Sequence, residues 1–110
     1  MAQGKMYIPE GLPELTDLLN SMLLGAPKFL DQTGYMPFIN LDYRFRQLNE
    51  GLASNRRKIG EERYQTLTRM SDEMRALFEA DPDDKTGETR KGREMIHEMV
   101  DILRQIRRKA

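Results

Sequence analysis

The sequence contains no cysteine, no tryptophan and a single histidine, and its lysines and arginines are offset one for one by aspartates and glutamates. Without cysteine there can be no disulfide, no thiolate metal ligand and no cysteine nucleophile. That composition suits a reducing compartment. A formal net charge of zero gives no global field to steer the chain toward nucleic acid or an acidic membrane, although charge can still gather in patches. Long apolar runs are missing too. Nothing approaches the roughly eighteen apolar residues that span a bilayer, and the opening Met-Ala-Gln-Gly-Lys-Met-Tyr-Ile-Pro lacks the apolar stretch of a signal peptide. The expected location is cytoplasmic, with no membrane partner.

What the chain does have is helical periodicity. Apolar residues at 64, 67, 70, 74, 77 and 78, and again at 95, 96, 99, 102, 103 and 106, recur at spacings of three and four. Each set makes one broad face that cannot stay in water alone. The charged segment Asp81-Pro-Asp-Asp-Lys-Thr-Gly87 between them turns the chain back, because Pro82 disfavours helix in the residue before it. At 110 residues there is room for one cored domain. The expected fold is therefore all-α, a small bundle of about four helices centred on a C-terminal antiparallel helical hairpin, with an irregular aromatic connector. Residues 1–11 are expected as an N-terminal arm and 12–109 as a single helical domain.

In the arm, Tyr7 and Ile8 could pack on the domain before Pro9 and Gly11 punctuate it. A first helix starts near Leu12, with Pro13 in its first turn, Glu14 at its positive end and Leu15, Leu18, Leu19, Met22 and Leu23 on its apolar face. Gly25-Ala-Pro27 ends it. Lys28 to Asp31 allows one helical turn, and Gly34 and Pro37 make Thr33 to Phe38 a loop or short extended piece. Tyr35, Met36, Phe38 and Ile39 are too apolar for an idle linker, so they plug the end of the core or, with Tyr35 as anchor, form part of a binding surface. Asn40 suits an N-cap for a helix burying Leu41, Phe45, Leu48, Leu52 and Ile59. A break near Gly60 follows, with Arg56-Arg57-Lys58 in the last turn, where the helix dipole favours positive charge. Glu61 and Glu62 open the next helix, and Thr86 or Thr89 caps the last one.

Chemical signatures are sparse. A calcium loop starting at Asp81 would place Lys85 at its fifth position, Thr86 where glycine belongs and Gly92 where a bidentate glutamate belongs, so no metal is expected. His97 has no motif linking it to Ser54 or Ser71, and zinc would need further ligands. The pairs Glu61/Glu62, Asp72/Glu73 and Glu94/Glu98 lie on helices among arginines, as solvated surface does. Gly87 and Gly92 have the spacing of a phosphate loop without its lysine and hydroxyl residue. No cofactor is expected.

Two surfaces stand out. Met70, Met74, Met95 and Met99 fall on the helical faces, where methionine fills core space or lines a pliable partner groove. Together with Tyr35 they are the candidate protein-binding residues. Arg56, Arg57, Lys58, Arg107 and Arg108 are the candidate phosphate-binding residues, extended by Arg44, Arg46, Arg104 and Lys109 if the helix ends meet, with Tyr43 available to stack on a base. The leading expectation is noncatalytic protein–protein interaction, by a homodimeric adaptor or inhibitor or through a protein heteropartner. Nucleic-acid binding by the basic helix ends is the alternative. An enzyme with a composite site not visible in sequence is the third reading.

Overall fold

The computed structural model describes residues 6–29 and 40–109, without the side chains of Arg108 and Lys109. Among these residues all regular structure is helical: α1 (Leu12–Gly25), α2 (Leu41–Ser54), α3 (Arg56–Ile59), α4 (Glu61–Ala80) and α5 (Glu88–Lys109). The expected all-α bundle and its C-terminal hairpin are what the chain forms. No described helix is long and apolar enough to cross a membrane.

The α4–α5 hairpin is the most extensive contact, and its tightest described point is a glycine. Gly92 lies so close to Phe78 that a Cβ there would stand 2.5 Å from the ring. Hydrogen or methyl therefore decides how near the two helices come. From there toward the open end the core is built by Leu67, Met70, Met74 and Phe78 of α4 against Ile96, Met99, Val100, Leu103 and Ile106 of α5, all buried. Val100 joins a face that the periodicity assigned without it. Met95 and Ile102 are only partly buried at its edges.

The two shorter helices close the bundle. α2 packs on α4 and α1 on α5, and α1 and α2 also touch each other. Asp42 pairs with Arg75 and Asn49 accepts from the Ser71 hydroxyl, so α2 runs antiparallel to α4. Leu15, near the start of α1, meets Gly51 near the end of α2, while Phe29, just past α1, meets Phe45 near the start of α2. α1, α2, α4 and α5 thus alternate up and down around one core. Phe29, Phe45 and Phe78 plug the turn end, with edge-on ring packing between Phe29 and the other two at centroid distances of 5.8 and 5.3 Å.

Local signals explain most helix ends. Asn40 caps α2 by accepting the Tyr43 N–H at 2.9 Å. Gly60 takes φ 91°, a conformation that favours glycine, and separates α3 from α4 at the expected break. Two details differ from expectation. A second break occurs at Asn55, whose Nδ2 donates to the Gly51 carbonyl, the same oxygen that receives its own backbone N–H. The cap of α5 comes from neither Thr86 nor Thr89. Asp81, at the end of α4, accepts the N–H groups of Lys85 and Thr86 on Oδ1 and of Thr89 on Oδ2, and the Thr89 hydroxyl donates back to the Asp81 carbonyl. One carboxylate therefore closes the turn and takes one N–H, that of Thr89, from the first turn of the next helix.

Candidate functional site

Arg56 departs from a plain helical surface. It lies in the single turn of α3, which the Gly60 break sets against the first turn of α4. Its guanidinium makes two parallel hydrogen bonds to Glu61, Nε to Oε1 at 2.8 Å and Nη2 to Oε2 at 2.6 Å, and it lies 4.4 Å above the Tyr64 ring centroid. Gln65 donates to the same carboxylate at 2.8 Å. Held by Arg56 first and Gln65 second, the Glu61 carboxyl falls to about 2. The Glu61 contact in turn raises the Arg56 guanidinium above its ordinary value.

Beside this lattice is an open recess of about 580 Å³ lined by Ala53, Ser54, Arg56, Arg57, Gly60 and Glu61. Arg57, Lys58 and Glu62 are exposed around it and make no side-chain hydrogen bond or ion pair among the described residues. The antiparallel hairpin brings the last turns of α5, with exposed Arg104 and Arg107, to this same end of the bundle. At the turn end Lys85, Arg90 and Lys91 are likewise exposed with no side-chain partner among the described residues, but other cations there are paired. Lys28 pairs with Asp83, Arg93 with Asp84, and Arg75 with Asp42 and Glu79. The arrangement places a paired, stacked guanidinium beside exposed charges of both signs that have no side-chain partner among the described residues.

The other sequence candidates are placed as follows. Met74 and Met99 are fully buried, Met70 is buried and Met95 is partly buried, so of these four candidates Met95 is the one left partly accessible. Tyr35 lies outside the described residues, as does the Arg108 side chain. Arg56, Arg57, Lys58 and Arg107 share one end, whereas Tyr43, Arg44 and Arg46 sit in the first half of α2, toward the turn end. The larger basic patch that would have joined them does not form. His97 is exposed on α5, and Ser71 is buried with its hydroxyl given to Asn49. Asp81 is occupied by backbone amides: burial by itself would raise its carboxyl, but the N–H groups of Thr89, Lys85 and Thr86 hold it down to about 2. No group of acids and histidine with metal-ligand spacing occurs among the described residues.

The stacking of Arg56 on Tyr64 was missed in the sequence. In one continuous helix an arginine eight residues before a tyrosine would stand about 12 Å from it along the axis, and the glycine break brings them together. Comparisons with protein-family models, with curated proteins and with solved structures find no match to this chain.

Proposed function

We propose that this is a cytoplasmic, noncatalytic protein-recognition module whose contact surface is the α3 end of the bundle, and that its first partner is a second copy of itself. The observation that carries the reading is the Arg56–Glu61–Tyr64 lattice beside unpaired Arg57 and Glu62. Arginine and tyrosine are the side chains that most often anchor interfaces, and one already held in place loses less freedom on binding. Free charges of both signs on one patch are self-complementary. A two-fold contact can set Arg57 of each copy against Glu62 of the other, and a neutral chain raises no net repulsion between copies. An adaptor or inhibitor that captures a different protein would use the same surface with another occupant.

Nucleic-acid binding is the second reading, favoured by the arrival of Arg104 and Arg107 beside the α3 turn. Glu61 and Glu62 count against it, since carboxylates beside a phosphate contact repel it. The mass of the purified protein by light scattering, over a range of concentration and salt, tests the first reading. It predicts a monomer–dimer equilibrium that weakens with salt. A monomer throughout would remove self-association. Fluorescence anisotropy with single- and double-stranded oligonucleotides tests the second, and salt-insensitive or absent binding would dismiss it.

A further inference from the structure

Residues 7–9 of the arm are tied to α2 by side-chain amides. Gln47 Nε2 donates to the Tyr7 carbonyl at 3.0 Å and Asn55 Nδ2 to the Pro9 carbonyl at 3.3 Å. Pro9 is buried against Gly51, where a Cβ would come within 3.1 Å of the proline ring. Asn55 is also the joint at which α2 stops and α3 begins. Ile59 and Gly60 close α3 on the carbonyls of Asn55 and Arg56, each at 2.9 Å, and the helical run is interrupted at Asn55 itself. Asn55 is 1% exposed, and its Oδ1 has no hydrogen-bond partner among the described residues. Turning the amide over would not help, because Oδ1 would then face the Pro9 and Gly51 carbonyls.

We infer that the N-terminal arm is a strap whose seating sets the α2–α3 joint through Asn55. In one state the arm is seated, Asn55 reaches across to Pro9 and α3 is offset. In the other the arm is lifted and residues 41–59 run on as one helix. The seated state gains Pro9 burial and two amide–carbonyl bonds, but it keeps a buried acceptor unsatisfied and interrupts the helix at Asn55. Lifting the arm reverses each of these. The two states are thus closer in free energy than a fully satisfied contact would leave them, and a modest perturbation shifts their populations. Arg56 is the residue after the joint, so straightening carries it away from Glu61 and Tyr64 and dismantles the recess. The effect on binding rests on the function proposed above. The coupling of arm to joint does not.

The test is an NMR comparison of the full chain with three variants and no ligand. Asn55→Leu removes the tie and the orphan together and supplies the reference for the lifted state, with the Arg57 and Lys58 amides protected and the Tyr64 ring signals shifted by departure of the guanidinium. Gln47→Ala and Pro9→Gly loosen the arm without touching α3, and Gln47→Ala leaves a good helix former in α2. The inference expects Gln47→Ala to shift the equilibrium toward the lifted state about fivefold, the factor for one ordinary lost hydrogen bond. Signals of the arm, of Arg57 and Lys58 and of Tyr64 then move together along the line from wild type to Asn55→Leu. Arm signals that move while Arg57, Lys58 and Tyr64 stay in place would overturn it, as would an arm undisturbed by both loosening variants or a joint still broken in Asn55→Leu. General destabilisation is distinguishable, because it speeds exchange at Arg57 and Lys58 where straightening slows it.

Discussion

Replacing Gly92 by alanine sets two effects of similar size against each other. Alanine in a helix interior is favoured over glycine by about 1 kcal/mol. Here the new methyl would stand 2.5, 2.7 and 3.0 Å from three ring carbons of Phe78. Carbon atoms are comfortable at about 3.5–4.0 Å, so the ring would have to retreat by roughly 1 Å. It has nowhere to go, being fully buried with Phe29 and Phe45 against it. Overpacking of this kind costs about 1–3 kcal/mol, which outweighs the propensity gain and leaves Gly92→Ala destabilised by up to about 2 kcal/mol. Urea unfolding with an unchanged m-value is the assay, and the melting temperature should fall by about 4–8 °C for each kcal/mol lost in a domain near this size. In a Phe78→Leu background the clash is gone, and the same substitution should stabilise by about 1 kcal/mol. Stabilisation by Gly92→Ala in the wild-type background would refute the close approach of α4 and α5.

The remaining predictions concern the core and the response to acid. Leu103 is fully buried, so Leu103→Ala should cost about 2–5 kcal/mol and Leu103→Asp should prevent folding, whereas the partly buried Leu77 should tolerate aspartate with a smaller loss. Circular dichroism melts rank the two, and equal losses would contradict the assignment of faces. Asp81 and Glu61 hold folded values of about 2 against ordinary values of 3.8 and 4.5. Because folding depresses both, their contribution is fully present above the unfolded values and is lost as pH falls from about 4 to about 2. Asp81→Asn should make the acid limb of a melting-temperature profile shallower, and an unchanged slope would refute the carboxylate's role in the turn.

Features that rest on neighbours in sequence were legible from the chain itself. Pro13, the Asn40 cap, the Gly60 break and the two helical stripes depend on short-range geometry, and each stands where the sequence put it. The Asn55 break was not legible, since one of its partners, Pro9, is 46 residues away and its advantage appears only once the arm lies across α2. The acids at 81, 83 and 84 suit capping and turn roles, but that Asp81 and not Thr86 or Thr89 caps α5 was not legible, because its furthest side-chain partner, the Thr89 amide, is eight residues on. Gly92, tested as part of a phosphate loop, answers to Phe78 across the hairpin. For the candidate site, the basic run at 56–58 was visible, but periodicity cannot say which arginine is pinned and which is free. The same limit applies to the methionines, whose spacing marks a face without saying whether the chain covers that face itself.

Charge reversal across the proposed two-fold contact gives the most direct measurement. Arg57→Glu and Glu62→Arg, each measured alone by light scattering, should abolish the dimer, since every copy would then meet its own charge. An equimolar mixture should restore a dimer, because each variant supplies the partner that the other has lost. Monomers in the separate solutions and dimers in the mixture are the expected result. Equal mass in all three, whether monomer or dimer, would contradict self-association through the α3 end.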